Sequence, residues 1–303
     1  MTSSSLLKQK PELVPTTLID EIRAYWTGKN IPQQWYSDKT PLSLQWFNEL
    51  AYKRYSTYYA YLATDAEFSH HAGEKVLEIG LGVGTDLVEY AKGGAHVYGV
   101  DLGEEQVNLT RLNFELHGLA YRDLSVQNAM QIEYPDQFFD LVYSFGVFHH
   151  APDTGKCIDE AYRILKADGQ AIIMLYARGW KHYIKRCLIQ GLIKGKYFKY
   201  GSWQAVYNDA SEVNGGSPRT AVYTKAQIKE LFKKFPHVEI QKKRMGEFFE
   251  YKPYGTHMFP GFVGRFCTWL GLEAWLGENY LIKAYKAPPP PKTSLRDVLF
   301  KHY

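Results

Sequence analysis

The stretch Val76-Leu77-Glu78-Ile79-Gly80-Leu81-Gly82-Val83-Gly84-Thr85-Asp86 carries the most informative spacing in the chain. An apolar, strand-like run leads into glycines at alternate positions, and a helical pattern follows. Glycine there lets the chain turn sharply and leaves backbone N–H groups uncovered, so a ligand can approach the main chain closely. The dinucleotide fingerprint needs Gly-x-Gly-x-x-Gly, but its last position is Thr85 here, which disfavours nicotinamide cofactors. Asp101 ends the next strand pattern. A carboxylate at that place can accept both ribose hydroxyl protons of an adenosine group, or it can cap the helix that begins near Gly103. Gln127-Asn128-Ala129-Met130 follows the third strand and offers a side-chain oxygen to an adenine amino group and a thioether to its ring. Ser144-Phe145-Gly146-Val147-Phe148-His149-His150 leaves the end of the fourth, the edge at which open α/β sheets bind ligands. Imidazole titrates near neutral pH, so His149 and His150 are candidate general bases. Alternatively, one of them only shapes the loop.

These residues need a frame. From Gly73 onward, short apolar runs alternate with helical patterns, with Gly93-Gly94 and Gly118 where helices should stop. Strands separated by crossover helices imply a parallel sheet covered on both faces. The expected architecture is an α/β, Rossmann-like sheet of about seven strands, mostly parallel. Residues 1–70 read as a helical N-terminal cap behind a loose tail, and 71–178 as the ligand-binding core. Residues 179–220 read as a basic helical insertion, 221–286 as the completion of the sheet, and 287–303 as a peripheral tail that begins with a polyproline spacer. A turn, Lys166-Ala167-Asp168-Gly169, is expected before the fifth strand.

Composition narrows the class. Hydrophobic residues make up 45% and charged residues 22%, which excludes general disorder. A net charge of +4 is too mild to imply nucleic acid by itself. Cys157, Cys187 and Cys267 fit no zinc pattern and read as free thiols, so a reducing, cytoplasmic setting is expected and no metal is. The N-terminus lacks the apolar core of a signal peptide. The 24 tyrosines and 7 tryptophans suggest aromatic surfaces with polar tips around a ligand, or a Tyr-rich packing shell.

The ordered motifs VLEIGLGVGTD, YGVD, QNAM, PDQFFDLVYSFGVFHHAPD and RILKADGQAIIML resemble the class I S-adenosylmethionine-dependent methyltransferases, and within them the type 11 group. The resemblance covers about residues 71–178 well and 221–285 loosely. It implies S-adenosylmethionine as cofactor, leaving as S-adenosylhomocysteine. It places Glu78, Gly80, Leu81, Gly82, Gly84 and Thr85 at the methionine and ribose end, and Asp101 with Leu102 at the ribose. Asn128, Ala129 and Met130 fall at the adenine, with Ser144, Phe145 and Gly146 beside the cofactor. The family more often has Asp where this chain has Asn128. The His-His-x-Pro-Asp signature is similar to one in sugar O-methyltransferases, where a histidine at this place serves as base.

The implied function is methylation of a small molecule, with oxygen preferred as acceptor. The alternatives are N-methylation of a small amine, a lipid or quinone substrate, or a non-catalytic cofactor-binding scaffold. Tyr52, Arg54, Tyr55 and Tyr59 from the N-terminal helices, with Tyr176, Arg178 and Tyr223, are the candidate acceptor-binding residues. No RNA-binding module is apparent, so no nucleic-acid partner is expected, and the oligomeric state is left open. Between Gly169 and Asn208 there is no Asp or Glu, while Arg178, Lys181, Lys185, Arg186, Lys194, Lys196 and Lys199 fall within it. Trp180, Ile184, Leu188 and Leu192 recur there at helical spacing. That segment reads as a lid over an anionic substrate, a peripheral membrane contact, an RNA-contacting face, or a helix packing its apolar stripe on the core.

Overall fold

The computed structural model describes residues 17–27, 39–179, 182–211, 216–243 and 277–289. The expected loose tail, Trp180, Lys181, Cys267, most of the C-terminal tail and the side chains of Ile184 and Lys185 lie outside the described residues. The helices are α1 (Leu18–Trp26), α2 (Leu44–Lys53), α3 (Leu62–Asp65), α4 (Thr85–Lys92) and α5 (Glu104–His117). They continue with α6 (Thr154–Ile164), α7 (Lys196–Tyr200), α8 (Trp203–Ser211) and α9 (Lys225–Leu231). Wider π-helical turns occupy Arg54–Tyr58 and His182–Ile193, and a 3-10 turn occupies Phe148–His150.

The strands are β1 (Lys75–Ile79), β2 (His96–Asp101), β3 (Asp123–Val126), β4 (Phe139–Phe145), β5 (Leu165–Tyr176), β6 (His237–Lys243) and β7 (Asn279–Tyr285). They form one seven-stranded Rossmann-like sheet in the order β3-β2-β1-β4-β5-β7-β6. Pairing is parallel from β3 through β5, and β7 runs antiparallel to both of its neighbours. β1 and β4 are almost wholly buried because helices cover both faces, which is why they read as apolar runs without alternation. One face packs Ile79, Val142 and Ile173 against Ile158 of α6 and Ile228 of α9. The other packs Val76, Leu141 and Ile172 with Leu87 of α4 and Phe114 of α5. The sheet order reverses between β1 and β4, so the carboxyl ends of β1, β2 and β4 open onto one crevice.

Helix ends follow local chemistry. α4 stops at Gly93, and α5 at Gly118, whose φ of 63° closes the helix in a conformation that costs a residue with a Cβ. The expected turn at Lys166–Gly169 is instead part of β5. Pairing jumps from Phe139–Leu165 to Leu141–Gln170, so these residues bulge beside Asp140, and Lys166 Nζ bonds Asp140 Oδ1 at 2.6 Å.

The insertion departs most from its sequence pattern. In the π geometry of His182–Ile193, residues four and five apart share a face, as in the bond from Lys194 N to Ile189 O (2.9 Å). His182, Cys187 and Gly191 therefore form the inward stripe. Cys187 Sγ lies 3.4 Å from the Tyr207 hydroxyl, and Gly191 lies so close to the Trp203 ring that a Cβ would stand 2.4 Å from it. Leu188 and Leu192, which α-helical spacing would turn onto the core, face solvent. Among the described residues no helix is long and apolar enough to cross a membrane.

Candidate functional site

A cavity of about 300 Å³ opens at the crevice beyond β1, β2 and β4. Its floor is the glycine turn. Gly80 (φ 87°) lies so close to Val147 that a Cβ would stand 2.1 Å from Val147 Cγ2, whereas a Cβ on Gly82 would meet nothing within 4 Å. The first glycine is thus required by the fold, and the second leaves open space over the cavity. Asp101 reaches back from β2. Its Oδ2 accepts from Leu81 N (2.8 Å), and its Oδ1 accepts from Gly103 N (2.9 Å), the residue that opens α5. It therefore caps the turn and lines the cavity at once, and a carboxylate keeps lone pairs for further donors. Burial pushes its pKa up, against the backbone N–H groups that pull it down.

Glu78 is the second acid of the cavity. It is 3% exposed, and its Oε2 has no hydrogen-bond partner among the described residues. Burial, then the nearby charge of Asp86, holds its carboxyl well above the usual range. Beside it stands a buried ion pair. Arg54 Nε donates to Asp86 Oδ1 at 2.6 Å, its Nη2 donates to Oδ2, and the hydroxyls of Tyr55 and Tyr143 each donate to Asp86 at 2.7 Å. Arg54 and Asp86 both line the cavity.

The roof is α1. Ile19, Ile22, Tyr25 and Trp26 face the cavity, and Gln106 of α5 donates to the Trp26 carbonyl, tying the helix across the opening. Trp26 also packs on His150, with ring centroids 5.0 Å apart. The two histidines diverge here. His150 lines the cavity, and its Nδ1 donates to the Arg219 carbonyl (2.8 Å), which leaves the lone pair on Nε2. His149 is fully buried behind it, against Tyr176 at 3.8 Å, and neither ring nitrogen has a hydrogen-bond partner among the described residues. Burial pulls the pKa of His150 down to about 4, against the Arg219 carbonyl and with help from Arg186. Burial, His150 and Arg186 push His149 well below the imidazole range.

The cavity gathers Glu78, Gly80, Leu81, Gly82, Thr85, Asp101, Leu102, Asn128, Ala129, Phe145, Gly146, His150 and Arg54 from the residues expected in the site. The others stand apart from its lining. Gly84 opens α4 against Thr110. Met130 packs on the sheet's hydrophobic core, and its N–H donates to Asn128 Oδ1 (3.0 Å), so this oxygen already accepts one bond. The Ser144 hydroxyl is turned inward to the Ile79 carbonyl (2.9 Å).

Of the expected acceptor residues, Tyr52 is 71% exposed because α2 buries Trp46, Phe47 and Leu50 on its opposite face. Tyr55 supports Asp86 from behind, and Tyr59 packs edge-on to Phe145. Tyr176 covers His149, Arg178 Nη2 donates to the Val222 carbonyl (3.4 Å), and the Tyr223 hydroxyl donates to Thr154 (2.7 Å). Sequence reasoning missed the α1 face and Gln106. The only signal for them was the apolar spacing of Ile19, Ile22 and Trp26 behind a Thr17 cap.

Residues 77–173 match the family described as Methyltransferase domain. The chain is similar to phosphoethanolamine N-methyltransferase 2 of Caenorhabditis elegans, 32% identical over 111 residues covering 36% of this chain and 25% of that protein. It is also similar to the ubiquinone biosynthesis O-methyltransferase of Pseudomonas aeruginosa, 36% identical over 115 residues, 37% of this chain and 49% of that one. The matched region thus spans a quarter to about half the length of these relatives. Among solved structures, a SAM-dependent methyltransferase from Methanosarcina mazei aligns with a TM-score of 0.49 and 17% identity, over 71% of this chain and 93% of that one.

Proposed function

From a class I methyltransferase domain of the type 11 group at residues 77–173, we propose that this chain methylates an oxygen of a small molecule, using S-adenosylmethionine and His150 as base. The observation that carries the proposal is that the glycine turn, Glu78, Asp101 and His150 line one cavity.

The donor set fits the cofactor. Glu78 Oε2, buried without a partner, can accept from an ammonium group, whose positive charge favours the ionised carboxylate that burial otherwise opposes. Asp101 retains lone pairs for the ribose hydroxyls, and Leu102 and Ala129 offer apolar surface to the adenine. S-adenosylmethionine supplies, when bound, a methyl group already activated on a sulfonium. The protein's part is then alignment, exclusion of water and removal of a proton. α1 closes the cavity with Ile22, Tyr25 and Trp26. The Arg219 carbonyl holds His150 in the tautomer whose Nε2 can accept a proton.

Replacing His150 with alanine should lower turnover about a hundredfold and leave S-adenosylhomocysteine affinity, read by calorimetry, within about threefold. The acid limb of kcat/KM in the free enzyme should lie near the depressed pKa of about 4, because the base is lost only when His150 takes up a proton. Turnover unchanged in the variant would remove His150 from the mechanism. It would favour a second reading, N-methylation of a small amine, which the weak basicity of a histidine at about 4 supports. The acceptor class is tested by transferring a labelled methyl group into cell extract. Label in the low-mass fraction is expected, and label confined to macromolecules would overturn the small-molecule reading.

A further inference from the structure

The helix His182–Ile193 presents its polar and small residues to the protein and its large apolar residues to water. His182, Cys187 and Gly191 pack inward on α8, while Tyr183 (54% exposed), Leu188 (47%), Leu192 (45%) and Ile193 (71%) share the outer face. The adjoining α7 adds Phe198, which at 76% is the most exposed large hydrophobic residue described. Seven of the twelve exposed large hydrophobic residues among those described fall between residues 183 and 200. Scattered apolar residues on a surface need no explanation, but such a concentration marks a surface that something covers.

The charges around the patch say what covers it. No Asp or Glu occurs between Gly169 and Asn208, and the exposed Lys194 and Lys199 lie beside Ile193 and Phe198. An RNA could match the lysines, but its phosphates in water give no home to leucine, isoleucine and phenylalanine side chains. An anionic bilayer offers both, with acyl chains beneath a negatively charged headgroup layer.

We propose that the face formed by His182–Ile193 and α7 docks this protein on anionic lipid bilayers, inserting Leu192, Ile193 and Phe198 among the acyl chains while Lys194 and Lys199 meet the headgroup phosphates. The binding is peripheral and reversible, and it stands independently of the methyl-transfer reading.

Co-sedimentation of the full chain with vesicles tests it. The protein should pellet with phosphatidylcholine vesicles containing phosphatidylglycerol, and much less with phosphatidylcholine alone. Raising salt from about 0.1 M to about 0.5 M should weaken the binding by screening. The double variant Ile193→Glu, Phe198→Glu should lose at least about tenfold in vesicle affinity. So should Lys194→Glu, Lys199→Glu, which leaves every apolar side chain in place. Far-UV circular dichroism and the urea midpoint of each variant report whether the fold survives, separately from docking. The inference is overturned if the parent protein stays in the supernatant, or if both variants pellet as it does. It is also overturned if the patch only joins two copies of the chain, seen as a dimer that ignores vesicles and that the Glu variants dissociate.

Discussion

Replacing Asp86 with alanine will lower the free energy of unfolding by about 3–5 kcal/mol, a loss readable as a fall in the urea midpoint. Asp86 is 3% exposed, and every donor aimed at it is buried or half-buried. The variant leaves the Arg54 guanidinium and the hydroxyls of Tyr55 and Tyr143 facing an empty site. Burial alone would pull the Arg54 pKa down, and the charge and hydrogen bonds of Asp86 more than reverse that. With Asp86 gone, a charged group is stranded in the interior. The size of the effect therefore comes from the partners left behind rather than from the bond itself. Substituting both members, Arg54→Met with Asp86→Leu, should recover most of the lost stability, since no charge is then stranded. A single variant within about 1 kcal/mol of the parent would show that water reaches Arg54, contrary to its burial.

The second large effect is acid lability. His150 and His182 are depressed to about 4, and His149 lies well below the imidazole range, chiefly through burial in each case. In the unfolded chain these imidazoles titrate near 6.5. Between those values the unfolded state binds more protons than the folded one, so the stability they contribute is complete above about pH 6.5 and is lost as pH falls through about 4. For His150 the difference amounts to roughly 3 kcal/mol, at about 1.4 kcal/mol per pH unit. Three groups act the other way. Glu78 and Asp101 have raised pKa values, so the folded state takes up their protons first, and acid relieves their burial. His71, raised by Glu67 and Glu74 against its burial, contributes stability below about pH 6.5 that is lost only at higher pH. The histidine contribution is isolated by difference. Stability measured against pH for His149→Phe with His150→Gln should be flatter than the parent's between about pH 6.5 and 4. Parallel curves would mean that these imidazoles are protonated in the folded protein.

What the sequence made legible was local. The glycine turn is a strand, a bend and a helix within one short segment, and the residue types needed for that geometry are also the ones that leave the backbone open. Asp86 lies at the end of the same motif, yet its role was invisible. Its partners Arg54, Tyr55 and Tyr143 are 32, 31 and 57 residues away, and only the packed structure joins them. The α1 roof was hidden for the same reason, since Trp26 is tied to Gln106 across 80 residues. Adjacent histidines read as equivalent in a sequence. A single 3-10 turn at Phe148–His150 gives one the cavity and the other the interior. At the insertion the spacing of Leu188 and Leu192 was right for an α-helix, and the π geometry turned that stripe outward.

The position of β7 bears on how the chain is made. β6 precedes it in sequence but reaches the sheet only through it, because β7 lies between β5 and β6. A nascent chain that has emerged only as far as Lys243 contains every strand around the cavity, from β3 to β5, but lacks the partner for the far edge of β5. Ile172 and Met174 lie along that edge. An open edge bearing apolar side chains is a template for pairing with other chains. During synthesis the edge of β5 thus stays open to intermolecular pairing after all the strands around the crevice have been made, and arrival of Asn279–Tyr285 covers it.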